Sequence, residues 1–209
     1  MKKISDSTIS RLSKYYRTLS MLIEQKIETV SSDEIAEIDS VTSAQVRKDL
    51  SFFGTFGKRG LGYKTKDLRE EIGKILGLKK TWNIALVGIG NIGRALIDYQ
   101  EFKKQGFQVK ALFDSDPEKV GHEINGLHIY NINDVCQVVK EKNIEIAIIA
   151  VPAKVAQAVT DFFVNCGVKA ILNFAPISIK TPEDVLVKNE NMSIELEALS
   201  YYITNDLKK

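Results

Sequence analysis

The chain has 209 residues, of which 44% are hydrophobic and 27% charged, and this composition is typical of a soluble globular protein with one large or two small domains. Its longest apolar run, IAIIAV, has six residues, whereas a membrane span needs roughly 20, and the apolar core expected of a signal peptide does not follow the N-terminal MKKISDSTIS. Residues 1–80 carry a net charge of +5 and the rest of the chain −3, which suggests that the front half meets a polyanion, although a solvated charged face gives the same count.

Three helices are predicted in the first 50 residues. Residues 8–26 place their apolar side chains on one helical stripe. Two capping-box patterns follow, Ser31 with Glu34 and Thr42 with Gln45, and each marks the start of a short helix. A tight turn at residues 39–41 separates these two helices, which therefore predict a helix-turn-helix.

The second of these helices, SAQVRKDL, has the composition of a DNA recognition helix. Val46 and Leu50 fall on one side and leave four polar side chains exposed for base edges and phosphates, namely Ser43, Gln45, Arg47 and Lys48. The next segment, SFFGTFGKRGLGY, is aromatic and rich in glycine, and it predicts a β-hairpin wing with Lys58, Arg59 and Gly60 at its tip. An exposed amphipathic helix followed by a glycine-rich loop is the alternative. Agreement among capping, spacing and charge favours DNA binding.

From residue 82 onward, short apolar strands alternate with helices, and this order predicts a mostly parallel sheet. The strands are NIALV, FQVKALF, EIAIIAV and KAIL, and the helices between them span 91–105, 133–142 and 153–166. The domain boundary is expected within residues 77–80. The chain would then comprise a DNA-binding domain (1–79), a dinucleotide-binding domain (80–189) and a C-terminal helix (190–209).

The stretch GIGNIG directly follows the first strand and opens a helix, which is the context that gives a GxGxxG motif meaning. The first glycine permits a tight turn, the second lets a pyrophosphate approach the backbone, and the third lets the helix pack on the strand. Amides at the helix start then face the phosphates. The predicted loop and helix residues are Gly88, Gly90, Asn91, Ile92, Gly93, Arg94 and Ala95.

The second strand ends in Asp114, 21 residues beyond Gly93. A carboxylate there accepts hydrogen bonds from the adenosine ribose and repels a 2′-phosphate, so NAD is favoured over NADP; a plain turn residue is the alternative. Ligands bind beyond the carboxyl ends of such strands, which adds Ala150, Val151, Pro152, Asn173 and Ala175 as candidate pocket residues. Pro152 is equally well explained as the first residue of a helix.

Residues suited to catalysis or metal binding are few. Cys136 and Cys166 lie 30 residues apart with no histidine cluster nearby, which predicts unpaired packing residues in a reducing cytoplasm and no zinc site. The only histidines, His122 and His128, flank a turn after the second strand and are interpreted as solvated turn residues. A general acid or base and a substrate domain are both missing, so a dinucleotide would act as a signal and not as a reagent.

Several stretches together resemble the Rex family, bacterial repressors that respond to NADH. They are ISRLSKYYRTL, SSDEIAEI, TSAQVRKDLSFFGTFGKRGLGY, GIGNIG, FDSDPEKVG, ILNFAP and ELEALSYY. The resemblance implies a homodimer with winged-helix heads and a C-terminal helix swapped between subunits. It also implies an inverted-repeat operator of double-stranded DNA that is bound in the apo or NAD+-bound state and released by NADH.

The resemblance also extends to single residues. Arg47 and Lys48 match the family's recognition helix, and residues 58–60 match its wing. Tyr99 matches a tyrosine near the nicotinamide, and Arg17 matches a first-helix arginine that communicates with the partner subunit's site. Where some relatives carry an aspartate, this chain has Asn191, which cannot form an ion pair with Arg17; Glu190 is a possible substitute.

The predicted fold is therefore α/β: an N-terminal winged helix-turn-helix, a Rossmann-type parallel sheet and a C-terminal, domain-swapped helix. The predicted function is a cytoplasmic repressor that is not an enzyme, binds NADH and NAD+, and has no membrane or metal partner. The alternative is a small NAD-dependent oxidoreductase that carries a basic N-terminal interaction module.

Overall fold

The computed structural model describes residues 4–57 and 61–205. The chain divides into two compact units, Met1–Lys80 and Thr81–Lys209, which are described separately. Within the described residues, no helix combines the length and apolar character that crossing a bilayer requires.

The first unit is helical with one small ladder. Helix α1 (Asp6–Glu24) is followed by strand β1 (Thr29–Val30), helices α2 (Ser32–Asp39) and α3 (Ser43–Ser51), strand β2 (Tyr63–Lys64) and helix α4 (Thr65–Ile75). Strands β1 and β2 pair antiparallel. All four helices contribute fully buried side chains to one core, among them Leu12, Leu19, Ile35, Val46 and Ile72. This core fixes α3 against the rest of the unit.

Helices α2 and α3 form the predicted helix-turn-helix. The capping box of α2 is complete, because Ser31 accepts from the Glu34 amide and the Glu34 carboxylate accepts from the Ser31 amide. Helix α3 has half of a box: Thr42 caps the Gln45 amide, but the Gln45 side chain bonds elsewhere. Ser40 adopts a left-handed conformation at φ 55°, which ends α2 and turns the chain into α3.

The wing differs from its prediction in the part that the structure describes. Residues 52–57 contain no strand residue, Gly62 forms an isolated bridge, and β2, which begins at Tyr63, pairs with β1 instead of with residues 52–57. Phe53 and Phe56 pack against the core of the unit. Burying aromatic side chains there competes with an extended hairpin. Lys58, Arg59 and Gly60 lie outside the described residues.

The second unit is built on a seven-stranded sheet of order β5-β6-β4-β3-β7-β8-β9. The strands are β3 (Trp82–Val87), β4 (Phe107–Asp114), β5 (Glu123–Ile124), β6 (Leu127–Asn131), β7 (Ile146–Ile149), β8 (Ala170–Asn173) and β9 (Leu186–Asn189). All pairs are parallel except β5 with β6. The order reverses between β3 and β7, which creates a crevice beyond their carboxyl ends.

Helices cover both faces of this sheet. Helices α5 (Asn91–Ile97) and α6 (Gln100–Lys104) cover one face, and α7 (Val135–Glu141) and α8 (Ala153–Asn165) cover the other. The four predicted strands are confirmed. The predicted single helix 91–105 is wrong, because the chain leaves the helical conformation at Asp98 and Tyr99. Strands β5, β6 and β9 were not predicted, and His128 lies in β6, not in a turn.

Cys136 and Cys166 form a disulfide, so the prediction of two unpaired cysteines is wrong. Cys136 lies in α7 and Cys166 follows the last residue of α8. Both helices pack on the same face of the sheet, which brings the two Cα atoms within 4.7 Å despite 30 residues of separation. Spacing in sequence could not reveal this proximity.

Helix α9 (Met192–Thr204) closes the described chain and corresponds to the predicted C-terminal helix. None of its side chains is buried. Large apolar residues are exposed over most of its circumference, including Met192 at 68%, Leu196 at 66% and Ile203 at 78%, while the polar residues Ser193, Glu197, Ser200 and Thr204 share one side. So broad an exposed apolar surface marks an interaction site.

Candidate functional sites

The glycine loop joins β3 to α5 in the crevice. Gly88 has φ +89°, and a side chain there would meet the Ala150 carbonyl oxygen at 2.5 Å. A side chain on Gly93 would meet the Gly88 carbonyl oxygen at 2.0 Å, so α5 can approach the loop only because this residue is glycine. A Cβ added to Gly90 would have no heavy atom within 4 Å. The backbone is thus open at Gly90, where the motif places the pyrophosphate.

Asp114 lies at the carboxyl end of β4, and the residue is only 8% exposed to solvent. It accepts hydrogen bonds from the Ile89 amide at 2.8 Å, the Asp116 amide at 3.0 Å and Lys119 Nζ at 3.2 Å. Burial raises the pKa of Asp114, but these donors outweigh it and leave the pKa below its ordinary value. The ionised carboxylate therefore ties the glycine loop to β4.

A cavity of about 550 Å³ opens beside this loop. Its walls combine the glycine turn, the end of β4, the loop after β7 and one apolar side of α8. The lining residues include Gly88, Gly90, Asp114, Lys119, Val151, Pro152, Val155 and Phe162. This size and mixture of apolar walls with few polar groups fit an organic cofactor. Lys119 was missed by sequence reasoning, and its bond to Asp114 raises its pKa.

Other predicted pocket residues lie apart from the cavity. Asn173 is fully buried, and its side-chain amide bonds Ala175, Ile177 and Asn189. It holds the loop after β8 and is not among the described lining residues, nor is Ala175. Tyr99 is 50% exposed, and its ring contacts the Phe102 ring edge at 5.0 Å between centroids. The exposed side chains of Asn91, Ile92, Arg94 and Ala95 follow the loop on α5.

Helix α3 presents Arg47 and Lys48 to solvent, while Ser43 and Gln45 are half-buried. Arg47 Nη1 donates to Ser32 Oγ at 2.8 Å, which links the two helices of the helix-turn-helix. A guanidinium has five donor hydrogens, so others remain for a base or phosphate. The helix begins with a capped turn and carries its cations on the exposed side, as the recognition-helix prediction requires.

Two of the predicted switch residues belong to different units. Arg17 is exposed on α1 of the first unit. Asn191 caps α9 in the second unit, and its side-chain oxygen accepts from the Ser193 amide at 3.0 Å. The neutral amide that replaces the expected aspartate thus already serves as a helix cap.

Two family models match the chain, one in each unit. A model described as a putative DNA-binding protein N-terminus matches residues 3–51, and one described as a CoA binding domain matches residues 79–177. Relatives named redox-sensing transcriptional repressor Rex match nearly the full length. The protein of Desulforamulus reducens is 49% identical over 95% of both chains, and that of Syntrophomonas wolfei is 50% identical over 96% of both.

Solved structures give the same result. RSP, a Rex-family repressor, in complex with β-NAD+ and operator DNA has a TM-score of 0.93 and 37% identity, covering 99% of this chain and 95% of that one. The RSP complex with β-NADH has a TM-score of 0.88 and 35% identity, covering 99% and 97%. The two-unit fold, the glycine loop and these full-length matches lead to one conclusion: the chain belongs to the Rex family of redox-sensing transcriptional repressors.

Proposed function

We propose that this protein is a transcriptional repressor that senses the cellular ratio of NADH to NAD+. It binds inverted-repeat operator DNA when it is free of cofactor or holds NAD+, and NADH releases it. One observation carries the proposal: along 99% of its length the chain matches RSP, which was solved with β-NAD+ and operator DNA.

The DNA contact is assigned to the first unit. Arg47 and Lys48 lie on the exposed side of α3, and the first unit carries the excess of positive charge. Arginine and lysine contact guanine edges in the major groove, and cations outside the groove neutralise phosphates. We include Ser43 and Gln45 on α3, with residues 58–60 as the wing.

The cofactor contact is assigned to the crevice of the second unit. The open backbone at Gly90 fits a pyrophosphate, and Asp114 fits the adenosine ribose. The apolar wall of Val151, Pro152 and α8 gives a surface for a flat ring. Asn173 takes part indirectly, by holding the loop after β8.

A homodimer joined through α9 completes the proposal. An inverted repeat needs two recognition helices about one DNA turn apart, which one chain cannot supply. The exposed apolar surface of α9 favours a second copy as its cover. The cytoplasmic location no longer draws support from unpaired cysteines, since Cys136 and Cys166 are bonded, and it depends on the DNA partner alone.

The oxidoreductase alternative is less well supported. Relatives that match the whole chain are named as repressors. Among the described residues lining the cavity, the ionisable groups are Asp114 and Lys119, and they bond each other near the predicted ribose position. Neither is placed to transfer a proton at a substrate beside the nicotinamide.

One experiment tests the proposal. Purified protein is mixed with fluorescent promoter DNA from its host, and NADH or NAD+ is added at equal concentration. We expect NADH alone to release the DNA, with NADH absorbance at 340 nm unchanged over time. Release by both cofactors, by neither, or with steady NADH oxidation would contradict the proposal.

A further inference from the structure

Gln45 on the recognition helix has a fixed amide orientation. Its Nε2 donates to Asp49 Oδ1 at 2.8 Å, across one turn of α3. The side chain therefore lies along the helix and does not reach back to the cap, which explains the incomplete capping box at Thr42. Gln45 is the third residue of α3, in the first turn, where recognition helices contact base edges.

Asp49 is completely buried and surrounded by donors from α1. Arg11 Nε donates to Oδ2 at 2.6 Å, Arg11 Nη2 donates to Oδ1 at 2.8 Å, and Tyr15 Oη donates to Oδ2 at 3.0 Å. Burial raises the pKa of Asp49, but the bonds from Arg11, Gln45 and Tyr15 outweigh it and leave the carboxyl ionised at neutral pH.

An ionised carboxylate can only accept hydrogen bonds. The NH₂ group of Gln45 must therefore face the carboxylate and uses one of its two N–H bonds there, which leaves the carbonyl oxygen Oε1 as the acceptor on the other side of the amide. A free glutamine could turn its amide by half a rotation and present either group. Asp49 removes that freedom.

We propose that Gln45 is a specificity-determining residue that accepts a hydrogen bond from the exocyclic amino group of adenine or cytosine, and that Asp49 is the positioning residue that sets this polarity. The inference rests on the operator binding proposed above. Guanine O6 and thymine O4 are acceptors in the major groove and would face Oε1 without a hydrogen. At one position of each half-site, the base that faces Gln45 should therefore be adenine or cytosine.

The test compares base preferences position by position. Double-stranded DNA is selected by the unmodified protein from a random-sequence pool, and each half-site position is then changed to all four bases. At each preferred position, adenine is also replaced by purine and cytosine by 2-pyrimidinone, which removes only the exocyclic amino group. At one position this removal should weaken binding of the unmodified protein about tenfold in anisotropy titrations and should not affect Gln45→Ala. Preferences at the other positions should persist.

Lys58→Ala, in the proposed wing, is the control for loss of a positive charge. Loss of a cation should weaken all sequences alike and lower the slope of log K against log salt by about one per subunit. Gln45→Ala removes no charge, so its salt slope should equal that of the unmodified protein.

Asp49→Asn tests the positioning role, because an asparagine can donate to Oε1 and let the Gln45 amide turn. The effect of removing the amino group should then be lost, as it is in Gln45→Ala. A folded Asp49→Asn protein with unchanged preference overturns the role of Asp49. If circular dichroism shows this variant unfolded, Gln45→Ala decides alone.

Failure of the proposed function and failure of the Gln45 assignment give different results. If the unmodified protein selects no DNA, the proposed function fails and the inference with it. If it selects DNA but Gln45→Ala changes no base preference, only the inference fails. Equal sensitivity of Gln45→Ala and the unmodified protein to removal of the amino group would also overturn it, because Gln45 would then not accept a hydrogen bond from that group.

Discussion

Asp114 has two tasks that one substitution would remove together. Its carboxylate is the proposed acceptor for the adenosine ribose, and it also holds the Ile89 amide of the glycine loop. For Asp114→Ala we expect NADH affinity to fall about tenfold or more, since a hydrogen bond to a charged group contributes roughly 1.5–3 kcal/mol. The ratio of NADH affinity to NADPH affinity should also fall. Fluorescence titrations with both cofactors measure the two effects.

Asp116→Ala is the control for that variant. Its side chain pairs with the same Lys119 at 3.4 Å, while the backbone amide that bonds Asp114 is kept. NADH affinity should change little in this control. Equal binding of NADPH and NADH by the unmodified protein would disprove the assignment of Asp114.

Single residues differ in how far the sequence revealed them. Asp114 was predictable, because a fixed spacing from a glycine motif reflects a fixed βαβ geometry. Lys119 was not, because it meets Asp114 through an irregular loop. The Gln45–Asp49 pair has helical spacing, but the burial of Asp49 depends on Arg11, 38 residues away. Long-range polar partners have no period that a sequence can display.

At the level of elements, the disulfide is open to a direct test. It closes a 30-residue separation that includes β7 and α8. Chain-entropy estimates for a loop of this length give about 3–4 kcal/mol of stabilisation. A reductant should therefore lower the urea midpoint of the second unit. The only tryptophan, Trp82, lies in β3, so its fluorescence follows this unit.

The double variant Cys136→Ser with Cys166→Ser provides the comparison. Its urea midpoint should equal that of the reduced unmodified protein and should not change when reductant is added. Two free thiols in the oxidised, denatured protein would show that the bond does not form.

Helix α9 is the second element that can be tested by itself. Removal of residues 190–209 should yield monomers and abolish operator binding, because the exposed apolar helix is the proposed dimer contact. Analytical ultracentrifugation measures the mass. The full-length chain at the same concentration is the reference, and a truncated protein that remains dimeric would refute the swap.

Elements were predictable where their pattern was strong. The four inner strands are runs of β-branched and aliphatic residues, and the parallel order follows from their alternation with helices. Strands β5, β6 and β9 were missed because polar residues such as Glu123, His128 and Lys188 interrupt them and leave no continuous apolar run. The break at Asp98 carries no glycine or proline, so the sequence gives no sign of it.

At the scale of the whole molecule, the switch requires that cofactor state changes DNA affinity. Tyr99 is half-exposed near α6 and Arg17 is exposed on α1, so both side chains can contact a partner. We expect Tyr99→Phe and Arg17→Ala each to bind DNA alone and NADH alone as the unmodified protein does. The coupling between NADH binding and DNA release should weaken by about fivefold or more, at the lower end of measured allosteric couplings.

The measurement is the NADH concentration that releases half of the DNA, compared with NADH affinity in the absence of DNA. Asn191→Asp extends the series, because a carboxylate at that cap could pair with Arg17 and strengthen the coupling. If NADH releases Tyr99→Phe and Arg17→Ala as readily as the unmodified protein, these residues are not the relay.

The exposed surface of α9 has a further consequence for amide hydrogen exchange. No buried side chain opposes local opening of this helix within one chain, whereas β3 lies at the centre of the sheet between β4 and β7. In an isolated chain the amides of α9 should exchange far faster than those of β3. Covering the helix with a second copy would slow exchange of these amides selectively. The protection of each α9 amide should therefore increase with protein concentration and report how much of the protein is assembled.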